Sequence, residues 1–76
     1  MGDELDNHLR EERTRLGLTQ AQLAELIGVS RKTINTVENG VFVPSTVLAL
    51  RLAGALGSSV ERLFQLRSPG DASGQP

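Results

Sequence analysis

Where glycine stands constrains this chain more than any other feature. Gly17, Gly28, Gly40 and Gly57 each close a run rich in leucine, alanine or β-branched residues, and Thr19, Ser30, Ser45 and Ser58 follow those stops. Glycine ends helices and a small hydroxyl residue starts them. No stretch between successive stops exceeds 16 residues, so only short helices fit. A membrane span, which needs ~20 apolar residues, has no room. The full 76 residues hold one small domain, which can bury roughly 60% of its unfolded surface. Large enzyme folds, barrels and doubly wound sheets are excluded.

Between these marks the apolar spacing predicts five helices and no strand. The first is expected from Leu5 to Leu16, with Leu5, Leu9 and Leu16 on one face. The second starts at Thr19, with Gln22 completing a capping box, and turns Leu23, Ala24, Leu26 and Ile27 inward. The third starts at Ser30, buries Ile34 and Val37, and stops at Asn39-Gly40. Val41 to Val43 reads as a loop pinned to the core by Phe42 and Val43. The fourth runs from Ser45 through Leu48, Leu50, Leu52, Ala53 and Leu56. The fifth is a short turn from Val60 to Phe64, entered through Ser58 with Glu61 at the box position. The expected domain covers residues 1–67, and the Pro/Gly/Ser-rich residues 68–76 read as a flexible tail or linker stub.

The net charge of −1 argues against a nucleic-acid partner only until it is divided. Residues 1–12 carry Asp3, Glu4, Asp6, Glu11 and Glu12 against Arg10, a net −4. Residues 13–67 carry seven arginines and lysines against Glu25, Glu38 and Glu61, a net +4. An acidic end is attached to a basic body.

The stretch Gln20 to Gly40, QAQLAELIGVSRKTINTVENG, carries the function. Two short helices joined at Gly28-Val29-Ser30 form a helix-turn-helix pattern. Ala24 is small where the helices cross, Gly28 can take the positive φ of a tight turn, and Ile34 and Val37 fix the third helix inward. The opposite face of that helix then shows Arg31, Lys32, Asn35 and Thr36. Arg31 can present two donors to guanine, and Asn35 a donor and an acceptor to adenine. Lys32 can reach a base edge or a phosphate, and Thr36 can meet a thymine methyl. Gln20, beside the Thr19 cap at a helix N-terminus, is well situated for phosphate, and Ser30 is grouped with it.

The chain here resembles the phage-repressor-like (XRE, Cro-like) family of helix-turn-helix regulators. The resemblance covers about residues 7–66 and rests on Leu18-Thr19-Gln20, Leu23-Ala24, Gly28-Val29-Ser30, Thr33-Ile34, Val37-Glu38-Asn39-Gly40, Pro44-Ser45, Ala55-Leu56-Gly57 and Leu63-Phe64. It implies an all-α, five-helix lambda-repressor-like DNA-binding domain, with the motif core at about residues 19–40. It also implies a sequence-specific transcriptional regulator, a repressor acting as a homodimer on a palindromic double-stranded operator, with helix 30–39 in the major groove. It places base contacts at Arg31, Lys32 and Thr36, with Asn35 less regular, and phosphate contacts at Gln20 and Asn39. Arg13 and Glu38 match an ion pair that bridges the first and third helices in relatives. Position 12, apolar in the family, is Glu12 here.

One such unit reads few base pairs, and a dimer would set two recognition helices about 34 Å apart. The candidate dimer surface is the outer face of the fourth helix with the segment after it: Val47, Leu50, Arg51, Gly54, Phe64 and Leu66. Gln65-Leu66-Arg67 could add a short strand across that dimer. Two further partners stay open. One is a toxin masked by the acidic first helix or the tail, and the other is a sensor domain appended after the tail.

Enzyme function is rejected, because the chain has no cysteine, no tyrosine, no tryptophan and a single histidine, His8. Neither a cofactor nor a metal is expected. The acids near the N-terminus lack the alternating loop of a calcium hand and read as a solvated face. The absence of cysteine and of any apolar leader suits a reducing cytoplasm, at the nucleoid.

Overall fold

A computed structural model describes residues 5–66. Asp3, Glu4, Arg67 and the predicted tail lie outside the described residues. The elements follow in the order β1 (Leu5–Asn7), α1 (Leu9–Arg15), α2 (Gln20–Ile27), α3 (Arg31–Glu38), α4 (Thr46–Leu56), α5 (Val60–Leu63) and β2 (Phe64–Leu66).

Hydroxyl caps start four of the five helices. The Thr19 hydroxyl accepts the Gln22 amide at 3.0 Å, and the Gln22 side chain accepts the Thr19 amide at 2.8 Å, so both halves of the capping box form. Ser30 accepts from Thr33 at 3.1 Å and Ser45 from Leu48 at 3.1 Å. At α5 the cap is Ser59, which accepts from Arg62 at 3.2 Å, rather than the expected Ser58. The helix opens at Val60 as read, and the hydroxyl within reach of a free first-turn amide is that of Ser59, the residue directly before it. The Ser58 hydroxyl is buried without a hydrogen-bond partner among the described residues. Glu61 correspondingly falls at the second helical position, not at the box position.

Gly28 has φ +78°, and a β-carbon there would meet nothing within 4 Å. Conformation, not crowding, is what the turn between α2 and α3 demands of it. Ala24 is buried where α2 and α3 pack. The core is one cluster drawn from all five helices and β2, with Leu9, Leu23, Ile34, Val37, Leu52 and Leu63 fully buried.

The N-terminal segment departs from expectation. Leu5–Asn7 is a strand, and α1 begins only at Leu9. β1 pairs antiparallel with β2 in the register Leu5↔Leu66, Asp6↔Gln65 and Asn7↔Phe64. The His8 amide adds a bond to the Leu63 carbonyl at 2.8 Å. Asn7 ends the strand and starts the helix, because its side-chain oxygen accepts the Leu9 amide at 2.9 Å while its nitrogen donates to the Val37 carbonyl. The predicted five-helix bundle therefore carries a small two-stranded sheet, and Phe64 belongs to β2 rather than to the fifth helix. The strand expected to cross a dimer pairs within its own chain.

Three further corrections concern burial. Of the stripe Leu5, Leu9 and Leu16, only Leu9 is fully buried; Leu5 is half-buried and Leu16 exposed. Leu26 is 61% exposed, since α2 buries the narrow set Leu23, Ala24 and Ile27 and Leu26 falls beside it. Phe42 and Val43 are exposed and do not pin their loop. Backbone bonds do that instead, with the Val41 and Phe42 amides both donating to the Thr36 carbonyl, at 3.0 and 3.2 Å. Among the described residues no helix is long and apolar enough to cross a membrane.

Candidate nucleic-acid interface

The third helix has three faces. Ile34 and Val37 fasten it to the core. Its N-terminal half presents Arg31 and Lys32, both exposed and neither holding a side-chain hydrogen bond or ion pair among the described residues. They share a shallow surface notch with Asn35. Ser30 and Thr33 stand at the helix start, their hydroxyls 3.0 Å apart. Thr36 is half-buried, and its hydroxyl donates to the Thr33 carbonyl at 2.9 Å. Thr36 lines a shallow groove with Lys32 and Phe42.

The C-terminal end of α3 is locked to α1 and α2 through Glu38. That side chain is 0% exposed, and Arg13 is 11% exposed. Arg13 grips both carboxylate oxygens, at 2.5 Å from Nε and 3.1 Å from Nη2, and its third nitrogen donates to the Leu18 carbonyl at 2.8 Å. Gln20 donates to the same carboxylate at 3.0 Å and to Asn35 at 3.2 Å. Asn39 donates to Asn35 at 3.3 Å. Burial pushes the Glu38 pKa up, but hydrogen bonds from Arg13 and Gln20, the charge of Arg13 and a bond from Arg10 outweigh it. The net shift is downward. Glu38 is thus a buried anion held ionised by its donors.

Residues expected to meet phosphate divide accordingly. Gln20 and Asn39 stand at adjoining helix ends with their amides in this network, and Ser30 caps α3. Sequence reasoning missed Arg10, which donates from Nε to Glu38 at 3.3 Å and from Nη2 to the Asn39 oxygen at 2.9 Å. A signal existed, because Arg10 stands three residues before Arg13 and so shares its helix face. It missed Asn7 as well, whose tie to Val37 depends on the unforeseen strand.

Away from this face, Val47, Leu50, Arg51, Gly54 and Leu66 are exposed, as a contact surface requires. Phe64 is not: it lies in the core of its own chain, since its side of β2 faces the helices. Arg51 also reaches the Ile27 carbonyl at 3.4 Å. The acidic α1 face is self-paired in part, with Glu12 accepting from Arg15 at 2.8 Å and Glu11 bonded to His8 at 2.9 Å. The bond to Glu11 is the main cause that raises the His8 pKa above 6.5. Among the described residues no group of histidines and carboxylates could hold a metal ion.

Comparison with known proteins follows the same geometry. A family model described as helix-turn-helix matches residues 9–63. An uncharacterized HTH-type transcriptional regulator of Methanothermobacter thermautotrophicus is 49% identical over 63 residues, covering 82% of this chain and 91% of the relative. YgzD, an uncharacterized HTH-type transcriptional regulator of Bacillus subtilis, is 39% identical, covering 82% of this chain and 94% of the relative. Among solved structures, the restriction-modification controller protein C.AhdI from Aeromonas hydrophila superposes with a TM-score of 0.68 at 42% identity, over 71% of this chain and 78% of that one. Hydroxypropylphosphonic acid epoxidase from S. wedmorenis matches with a TM-score of 0.64 at 30% identity, over 68% of this chain but only 28% of the epoxidase.

Proposed function

The chain belongs to the XRE-type helix-turn-helix family of transcriptional regulators, and from that membership we propose that it is a repressor that binds a palindromic operator as a homodimer. The N-terminal half of α3 enters the major groove. Arg31 reads a guanine through two parallel donors, Lys32 a neighbouring base edge or phosphate, and the Thr36 methyl a thymine. Asn35, whose oxygen already accepts from Gln20 and Asn39, contributes less than a free asparagine would. Gln20, Ser30 and Asn39 set the helix against the phosphates, which positions the reader without reading sequence.

One observation carries this reading. On a helix whose other polar end is tied into a network, the two cations at the N-terminal half are left open. Val47, Leu50, Arg51, Gly54 and Leu66 form the dimer contact, which spaces two readers by about one turn of DNA, ~34 Å. No catalytic step is proposed. The site of action is the cytoplasm, at the nucleoid.

Selection of bound duplexes from a random pool at fixed salt tests the proposal. The expected result is an inverted repeat with half-site centres about 10 base pairs apart. A non-palindromic consensus overturns the dimer, and no enrichment at all overturns sequence-specific binding.

A further inference from the structure

The Glu38 network contains more positive charge than it needs. One buried carboxylate faces two arginines, and the two are held differently. All three guanidinium nitrogens of Arg13 are engaged, two on Glu38 and one on the Leu18 carbonyl. Arg13 therefore neutralises Glu38 by itself and has no donor nitrogen left unengaged. Arg10 adds a third donor to Glu38 Oε1, after Arg13 and Gln20, and its bond is the longest of the three at 3.3 Å. Its side chain is 57% exposed. Its other bond goes to Asn39, a residue at the end of α3, while Gln20, at the start of α2, shares the Glu38 oxygen with it. The cluster thus holds one net positive charge, on its most exposed member, where two helix ends meet. Because Arg13 and Gln20 already satisfy Glu38 and the Arg10 side chain is largely in solvent, this outer bond contributes little to stability.

We propose that Arg10 is a phosphate-binding residue, parked on Glu38 and Asn39 in the free protein and transferred to a DNA phosphate oxygen on binding. The exchange leaves Glu38 satisfied by Arg13 and Gln20, and it frees the Asn39 oxygen. A guanidinium suits the phosphate by its paired donors. This inference rests on the DNA-binding reading above and adds to it a contact on α1, outside the helix-turn-helix.

Salt dependence separates this role from a merely structural one. Affinity of the full chain for a short mixed-sequence duplex is titrated across roughly 50–200 mM salt, where each neutralised phosphate adds about 0.9 to the slope of log K against log salt. Arg10→Gln is expected to flatten that slope by about 0.9 per protomer, and Arg10→Lys to retain it. Thermal unfolding of each variant, run in parallel, is expected to match the parent. A weaker Arg10→Gln complex with the parent slope overturns the inference in favour of positioning through Glu38 and Asn39. Unchanged affinity and slope overturn it outright. Failure of the parent chain to bind any duplex overturns the DNA-binding reading itself, and the inference with it.

Discussion

The two ends of α3 both carry charged side chains and hold them in opposite ways. At its N-terminal half, Arg31 and Lys32 stand in solvent with no partner among the described residues. At its C-terminal end, Glu38 is fully buried and gathers Arg13, Gln20 and Arg10, while Asn35 joins Gln20 to Asn39. A side chain that must discriminate bases has to be free in the unbound protein, because an internal partner would have to be broken first. A side chain that orients the helix has to be fixed beforehand, so that a contact angle is set by the fold. The proposed readers Arg31 and Lys32 and the buried carboxylate thus sit at opposite ends of the helix, with the buried pair Ile34 and Val37 between them.

The largest expected effect breaks the aiming end. Glu38→Ala leaves the Arg13 guanidinium nearly buried without its anion, and unfolding in urea is expected to show a loss of about 3–5 kcal/mol. Glu38→Gln keeps the shape and some of the hydrogen bonding, and loses less. Acid unfolding sharpens the point. The folded pKa of Glu38 lies below its ordinary 4.5, so its contribution is present above that value and disappears as pH falls through the folded pKa. In Glu38→Gln that acid loss is expected to shrink; an unchanged acid limb contradicts the assignment.

The start of α3 comes next. Ser30→Ala removes the cap of α3 and is expected to cost about 1 kcal/mol in the same urea measurement. Arg31→Ala and Lys32→Ala should stay within about 0.5 kcal/mol of the parent, as open surface residues do. A large loss at either would show that the reading half has a structural partner after all.

The smallest effect lies outside α3. The His8 pKa is raised above 6.5, first through its bond to Glu11. Its contribution is therefore complete below 6.5 and lost as pH rises through the folded value. A thermal midpoint that falls slightly over that interval, and no longer does so in His8→Asn, is the expected outcome.

Much of this architecture was legible because it is local. Thr19, Ser30 and Ser45 cap helices within three residues of themselves. Gly28 takes its turn conformation, and Ile34 and Val37 go inward, as the spacing requires. What escaped was set by distant partners. Leu5 to Asn7 has too few residues for any strand pattern, and only pairing with Phe64 to Leu66 makes it one. Leu26 and Phe42 look like core by type and are exposed, Leu26 because α2 buries only Leu23, Ala24 and Ile27, and Phe42 because its loop is held by backbone bonds to Thr36. In the candidate site, the open residues Arg31 and Lys32 could be named from helical periodicity. The share of Arg10 in the Glu38 cluster spans 28 residues of sequence, and its only signal was its place three residues before Arg13 on one helix face.

The central claim, that bases are read by the N-terminal half of α3, meets its most direct test in Arg31→Ala. Affinities of parent and variant are measured for the selected operator and for every single base-pair change in one half-site, at one salt concentration. The variant is expected to lose about 1–3 kcal/mol of discrimination at one position and to keep its preferences elsewhere. A variant with the full base preferences of the parent would contradict it.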